Sequence, residues 1–314
     1  MIAITENLLH VFFALAFPPL LLGVIAKTKA WFAGRVGPPI LQPYYDLARL
    51  FQKGSVFSTT TTWVFRAGPV VALATTALAL CLVPLANTRI DAETSTLQGM
   101  APISFTGDMI VLAYLLALGR FFTASAALDT GSSFEGMGAA REVTFACLAE
   151  PAFFLGFIVL AKLSGSLRLD VMLGGTPWAS WPTAGASLAL VLVSWFIVLL
   201  AENSRIPFDD PNTHLELTMV HEVMVLDHSG PALGMVLYGA ALKLFLFGAL
   251  VVRMVLPPAA SWLAWPELAL GMLVVAVLVG VVESTMARLR LTHVPLLLVA
   301  ACLLSAFGVV LLMR

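Results

Sequence analysis

Residues 201–228, AENSRIPFDDPNTHLELTMVHEVMVLDH, hold six of the chain's 18 acidic residues and three of its 5 histidines. The acids are Glu202, Asp209, Asp210, Glu216, Glu222 and Asp227; the histidines are His214, His221 and His228. Carboxylates and imidazoles at this density can pass protons through intervening water. An imidazole titrates near 6.5, and a carboxylate's affinity for a proton follows its hydration and its charged neighbours. Metal binding is the competing chemistry. On a continuous helix the three histidines would share a face, with neighbours about 10.5 Å apart along the axis. The ligands of one zinc ion must each approach within about 2.1 Å, so a single metal does not bridge them, and HEVMV lacks the second histidine of HExxH. The bland alternative is a polar face wetted by solvent or covered by a neighbouring element.

Other titratable residues lie inside apolar runs. Glu150 follows Glu142 by eight residues, which puts it about 12 Å further along a helix. An acid at that depth is costly unless it is protonated, paired or hydrated. Two roles suit Glu150: proton handling, or a buried salt bridge with Arg120 or Lys243. Glu202 and Glu283 close apolar runs and have arginines just downstream, so Glu202–Arg205 and Glu283–Arg288 pairs at the interface are the simple expectation. Asp108 opens a run and suits a helix N-cap. Cys81, Cys147 and Cys302 stand singly, with no CxxC spacing, so they form no ligand set for zinc or an iron–sulfur cluster.

These groups need a scaffold, and composition says which. The 314 residues are 60% hydrophobic and 11% charged, less than half the roughly 25% charged residues of a soluble domain. Eight apolar runs of spanning length follow, near 6–26, 63–86, 107–127, 142–163, 184–202, 231–256, 267–286 and 293–313. The chain reads as an all-α, polytopic membrane bundle over 1–314, with one domain and no convincing internal repeat. No lysine or arginine precedes Lys27, so the first run reads as a retained span and not a signal peptide. Basic residues orient the bundle. Lys27, Lys29, Arg35, Arg49, Lys53, Arg66, Arg141, Arg205, Arg288 and Arg290 fall on one side, against Arg89, Lys162, Arg168, Arg253 and Arg314 on the other. The positive-inside rule puts loops 27–62, 128–141, 203–230 and 287–292 in the cytoplasm and both termini outside. A net charge of −1 offers no basic stripe for nucleic acid. After Gly37-Pro38-Pro39, a segment with Leu41, Tyr45, Ala48 and Phe51 on one face and Gln42, Asp46, Arg49 and Lys53 on the other reads as an interfacial amphipathic helix. It is either a surface anchor or a docking face.

AENSRIPFDDPNTHLEL resembles the loop between helices five and six of the complex I subunit 1 family, whose pattern is A-E-x-x-R-x-P-F-D-x-P followed by E-L. Glu202, Arg205, Pro207, Phe208, Asp209, Pro211, Glu216 and Leu217 match it. GRVGPP with Gln42, Asp46 and Lys53 resembles the family's loop after helix one. Gly138, Ala139, Arg141 and Glu150 match its G-A-x-R pattern with a glutamate nine residues later. Three motifs in order, across the whole chain, make the resemblance specific. Within the family, LDTGSSFEGMGAARE, Glu150-Pro151 and ESTMARLR are closer to the membrane anchors of energy-converting group 4 nickel–iron hydrogenases. The chain departs from the respiratory pattern at Asn212 and His214, which stand where acids are usual. Its loop is also a few residues longer, with His221 and Glu222 in or near the insertion.

The resemblance implies a non-redox subunit of an ion-translocating oxidoreductase complex in the cytoplasmic (inner) membrane, of the membrane-bound hydrogenase or formate hydrogenlyase type. Hydrogenase-like large and small subunits would dock on the cytoplasmic face, carrying a nickel–iron centre and iron–sulfur clusters. Antiporter-like membrane subunits and lipid would flank the chain. The implied proton and coupling path runs through Glu142, Glu150, Arg141, Glu202, Arg205, Asp209, His214, Glu216, His221 and Glu222. The implied docking residues are Arg35, Gln42, Asp46, Arg49, Lys53 and Asp210. No cofactor is expected in this chain, and quinone binding is left open. The alternatives are the equivalent subunit of a complex that lacks hydrogenase activity or uses quinone, a passive anchor, and a stand-alone secondary transporter.

Overall fold

Pro18 and Pro19 divide the first apolar run. Neither has an amide hydrogen, and each ring collides with the carbonyl four residues earlier, so helix α1 (Ile2–Ala16) ends and α2 (Pro18–Phe32) begins about 40° away. The break exposes carbonyls at membrane depth, where an unmet polar group is expensive. Two tyrosines meet them: Tyr238 donates to the Leu15 carbonyl at 2.7 Å and Tyr44 donates to that of Ala16. The expected first span is therefore a bent pair.

The computed structural model describes residues 2–85, 88–90, 97–209, 219–259 and 262–313. After α2 come α3 (Gln42–Phe51), α4 (Trp63–Leu82), a short antiparallel pair β1 (Thr88–Ile90) and β2 (Leu97–Gly99), α5 (Asp108–Asp129), α6 (Ser133–Ser164) and α7 (Leu169–Met172). Next are α8 (Thr176–Glu202), a 3-10 turn at Glu222–Val225, α9 (Gly230–Arg253), α10 (Ala264–Thr285) and α11 (Val294–Leu311). Among the described residues, seven helices are long and apolar enough to cross a membrane, and the bent α1–α2 pair makes eight. The protein is an integral-membrane helical bundle, as its composition requires.

Several boundaries differ from expectation. α6 starts at Ser133, so most of the loop expected at 128–141 is helix. α8 starts at Thr176 and kinks at Ala184, two residues after Pro182. Asp108 is not the cap of its own helix. Gly107 holds that position, and the Asp108 carboxylate accepts from the Leu169 amide at 2.8 Å, tying α5 to α7.

α9 is apolar on every side and sits at the centre, in contact with α2, α3, α4, α8 and α10. Leu242, Phe245, Leu246, Ala249 and Leu250 are sealed from any surface, as expected of a helix with no polar stripe. Around it α4 packs on α5, α6 on α8 and α11, and α2 on α10. Gly156 of α6 lies so close to the Trp195 indole of α8 that a Cβ there would sit 2.1 Å from Nε1. Small residues permit this close approach in membranes.

The segments expected in the cytoplasm gather on one face. Thr62 donates from its amide and hydroxyl to Asp129, the Val56 amide donates to the Ser229 hydroxyl, and the Leu289 amide donates to the Pro207 carbonyl. This side is called the loop face below. α3 lies there with Leu41, Tyr45 and Phe51 exposed, while a Cβ added to Gly234 of α9 would lie 3.4 Å from Leu50 and Phe51. His228 is buried flat against Phe65, ring centroids 4.0 Å apart at 18°. Burial drives its pKa from 6.5 down to about 4, although Asp227 pulls the other way.

Two measurements follow from this packing. Tyr238→Phe should cost about 1–3 kcal/mol by leaving the Leu15 carbonyl unmet, read as a lower thermal midpoint in detergent; an unchanged midpoint would show that the break needs no donor. Because His228 folds in its neutral form, its burial holds fully above its ordinary pKa, and that stability is lost as pH falls from 6.5 towards 4. Hydrogen exchange of residues 219–229 should therefore accelerate across that window, and His228→Phe should flatten the dependence.

Candidate functional site

Four membrane helices each bring one charge to a single point. Arg120 of α5 donates through Nη1 to Glu150 of α6 at 2.6 Å. Through Nη2 it donates to both oxygens of Glu202 of α8, each at 2.8 Å. Lys243 of α9 closes the group at 2.8 Å from Glu202 Oε2. Two cations face two carboxylates, so the cluster is neutral as a whole. Glu202 is almost fully covered, with 6% of its side chain exposed, whereas Glu150 is 45% exposed. An Arg fork spanning two acids is geometrically specific, because the planar guanidinium presents fixed parallel donors.

Two cavities meet at this cluster, and a third adjoins the first of them. A central one of about 80 Å³ is lined by Arg120, Glu142, Glu202, His221 and Lys243, with room for a few water molecules. A lateral cavity of about 510 Å³ shares Arg120 and Glu202 with it and extends past Glu150, Tyr114, Phe153 and Phe154. The third, about 320 Å³, shares Asn203, Ser204 and His221 with the central one. It reaches Arg205, Asp209, Glu222 and His228 at the loop face. Titratable side chains thus line otherwise mostly apolar walls from the loop face to Glu150.

The loop segment is held in place by the helices beneath it. The Asp209 carboxylate is buried; it pairs with Arg288 at 2.8 Å and accepts from the amides of Val220 at 2.9 Å and His221 at 3.4 Å. Arg141 donates to the Met219 carbonyl at 3.0 Å. Gly138 lets the segment lie directly on α6, since a Cβ there would come within 2.9 Å of the Val220 carbonyl oxygen. His221 is thereby pressed into the wall between two cavities. Burial lowers its pKa, and Lys243 lowers it further, against Glu142 and Asp209, which raise it.

Of the expected path residues, Glu142, Glu150, Glu202, Arg205, Asp209, His221 and Glu222 line this cavity series. Arg141 borders it through the backbone of Met219 and not through Glu150; the cation on Glu150 is Arg120. His214, Glu216 and Asp210 lie outside the described residues. The continuous helix that would align the histidines is absent over 221–228, where a 3-10 turn stands instead.

The expected pairs are exchanged as well. Glu202 meets Arg120 and Lys243 in place of Arg205, and Glu283 meets Lys29 at 2.8 Å and Arg205 at 3.3 Å in place of Arg288. Of the two cations expected as possible partners of Glu150, Arg120 is the one that pairs with it, whereas the meeting of Arg120 and Lys243 on Glu202 was not foreseen. Among the described residues no group of His, Cys, Asp and Glu is arranged to hold a metal. On α3, Gln42 donates to Asp46 at 2.9 Å, and Asp46, Arg49 and Lys53 are exposed.

The chain is 33% identical to formate hydrogenlyase subunit 4 of Escherichia coli over 297 residues, covering 91% of this chain and 90% of that protein. It is 32% identical to hydrogenase-4 component C of the same organism over 288 residues, covering 88% and 85%. Its fold matches a chain of the membrane-bound sulfane sulfur reductase, an archaeal respiratory membrane complex, with a TM-score of 0.80 at 22% identity over 99% of both chains. The family model described as NADH dehydrogenase matches residues 5–314. With the motifs of the 201–228 segment and the four-helix charge cluster in place, the chain belongs to this NADH dehydrogenase (complex I subunit 1) family of membrane subunits.

Proposed function

We propose that this chain is the anchor and coupling subunit of a complex I-like, ion-translocating oxidoreductase of the membrane-bound hydrogenase type. One observation carries the reading: a charge-neutral Arg120–Glu150–Glu202–Lys243 cluster adjoins a row of cavities, lined in part by Glu142, His221, Asp209 and Glu222, that reaches the loop face. On this reading the loop face points to the cytoplasm, both termini lie outside, and the membrane is the inner one. The likeness to two hydrogenase-associated proteins of Escherichia coli supports the hydrogenase branch. Large and small subunits bearing a nickel–iron centre and iron–sulfur clusters dock over α3, with Gln42, Asp46, Arg49 and Lys53, and over the 203–230 loop, including Asp210; Arg35, expected on the same docking face, is exposed at the rim of a groove beside α2. Antiporter-like subunits adjoin the bundle within the membrane.

The chain's own residues then act as follows. A change of charge in the docked arm shifts the 219–229 segment, which rests on Gly138 and hangs from Asp209 and Arg141. That alters the surroundings of His221 and Glu142, whose proton affinities follow hydration and neighbouring charge. A proton reaching Glu202 makes the cluster net positive. Arg120 then shifts its fork towards Glu150, and charge moves outward through the lateral cavity. His214 and Glu216 feed the same path from the loop.

The test uses the intact complex reconstituted in vesicles. Glu202→Gln, Glu150→Gln and His221→Ala should leave redox turnover and assembly in place while ion translocation falls to roughly a tenth or less. Glu216→Gln and His214→Ala in the same assay test the loop. Full translocation in all five would favour a passive anchor, and purification of the chain without a redox arm would favour a stand-alone transporter. Arg120→Met serves as the stability control. It strips a partner from a buried carboxylate and should cost about 3 kcal/mol, and adding Glu202→Gln should restore much of the lost thermal midpoint.

A further inference from the structure

A groove of about 610 Å³ runs between α2 and α10 on the outer surface of the bundle, away from the cavity series. Its walls are Val24, Val277 and Val281 with Thr28 and Phe32, and its rim at the loop-face end carries Lys27, Arg35 and Trp31. We propose that this groove binds an anionic phospholipid, one acyl chain lying against the valines and the phosphate meeting Lys27 and Arg35.

The charge pattern selects the headgroup. Among the described residues two cations and no carboxylate line the groove; the nearby acid on α10, Glu283, is already held by Lys29 and Arg205. A second groove of equal volume, between α8, α9 and α10, offers the opposite case: its walls are apolar and its one charged residue is Glu267. That groove suits any acyl chain, whereas the α2–α10 groove discriminates by charge. Basic pockets between spanning helices at the cytoplasmic boundary recognise anionic headgroups in this way.

The rim is built for its position. Gly34 and Gly37 both adopt left-handed backbone, with φ of 65° and 68°, turning the chain back over the end of α2. Lys27 donates to the Val36 carbonyl at 2.6 Å and pins that turn, which leaves two of its three ammonium hydrogens for a ligand. Arg35 is exposed. Trp31 is 76% exposed, in the place where an indole seats at the boundary between headgroup and acyl chain.

Trp31 also supplies the readout. The purified complex is reconstituted in nanodiscs containing either dibrominated phosphatidylglycerol or dibrominated phosphatidylcholine, and the Trp31 signal is isolated as the difference between wild type and Trp31→Phe. Bromine on the acyl chain should quench Trp31 more in phosphatidylglycerol, with a preference on the order of fivefold for each cation when the two lipids compete. Arg35→Gln, which leaves the Lys27–Val36 bond intact, should lower the preference by that factor, and the Lys27→Gln/Arg35→Gln pair should abolish it. Equal quenching by both lipids in the wild type would overturn the proposal. Absence of quenching by either lipid would also overturn it, because a protein partner would then be covering the groove.

Discussion

One guanidinium shared between two carboxylates holds the functional half of this protein together. Glu202 is enclosed among helices, where an unpaired charge costs several kcal/mol even after relaxation. Arg120 and Lys243 remove that cost together, and neither is enough alone, because Arg120 also serves Glu150. Since α5, α6, α8 and α9 each supply one member, the cluster fixes how these helices are rotated against one another. The interactions that satisfy burial are the same ones a proton would disturb. Stability and responsiveness therefore reside in the same four side chains.

The rest of the architecture keeps this cluster in contact with the loop face. α9 is buried around Lys243, from Ala241 to Arg253, and gives that side chain a packed base. Gly138 and Asp209 bring the 219–225 segment down onto α6, so His221 forms a wall common to two cavities. The α1–α2 break is clamped by tyrosines from α3 and α9, so an element lying on the loop face touches the backbone inside the bundle. A disturbance at the surface has physical routes inward at both places.

The spans were legible because each is a run of about 20 apolar residues, and lipid leaves the backbone little choice there. Their ends were less so. Hydropathy reads Ser133–Arg141 as loop, yet the segment is helical, with Gly138 and Ala139 packed and even Glu135 buried. The titratable groups were visible as anomalies in greasy surroundings, and so was the Glu150–Arg120 pair as one of two alternatives, but the other partners were not. Arg288 was expected on Glu283 by closeness in sequence; α10 stops at Thr285 and Met286 is extended, which carries Arg288 away to Asp209. Arg205 leaves Glu202 for a similar reason, since α8 ends at Glu202 and Ser204 turns the chain with φ of 48°. Pairing across a bundle depends on helix rotation, which a single sequence does not encode locally. The family motifs placed Glu202, Asp209 and Glu150 in one system, and the unforeseen joint was the second arm of Arg120, which reaches Glu202 as well as Glu150.

The most direct measurement is infrared difference spectroscopy on the intact complex as its redox arm is reduced. If the cluster is ion-paired at rest and takes up a proton with the redox change, a carboxylic C=O stretch should emerge on reduction, shift in deuterium oxide and vanish in Glu202→Gln. A spectrum with no carboxyl change, or with one that survives in that variant, would contradict the assignment of these four charges as the coupling element.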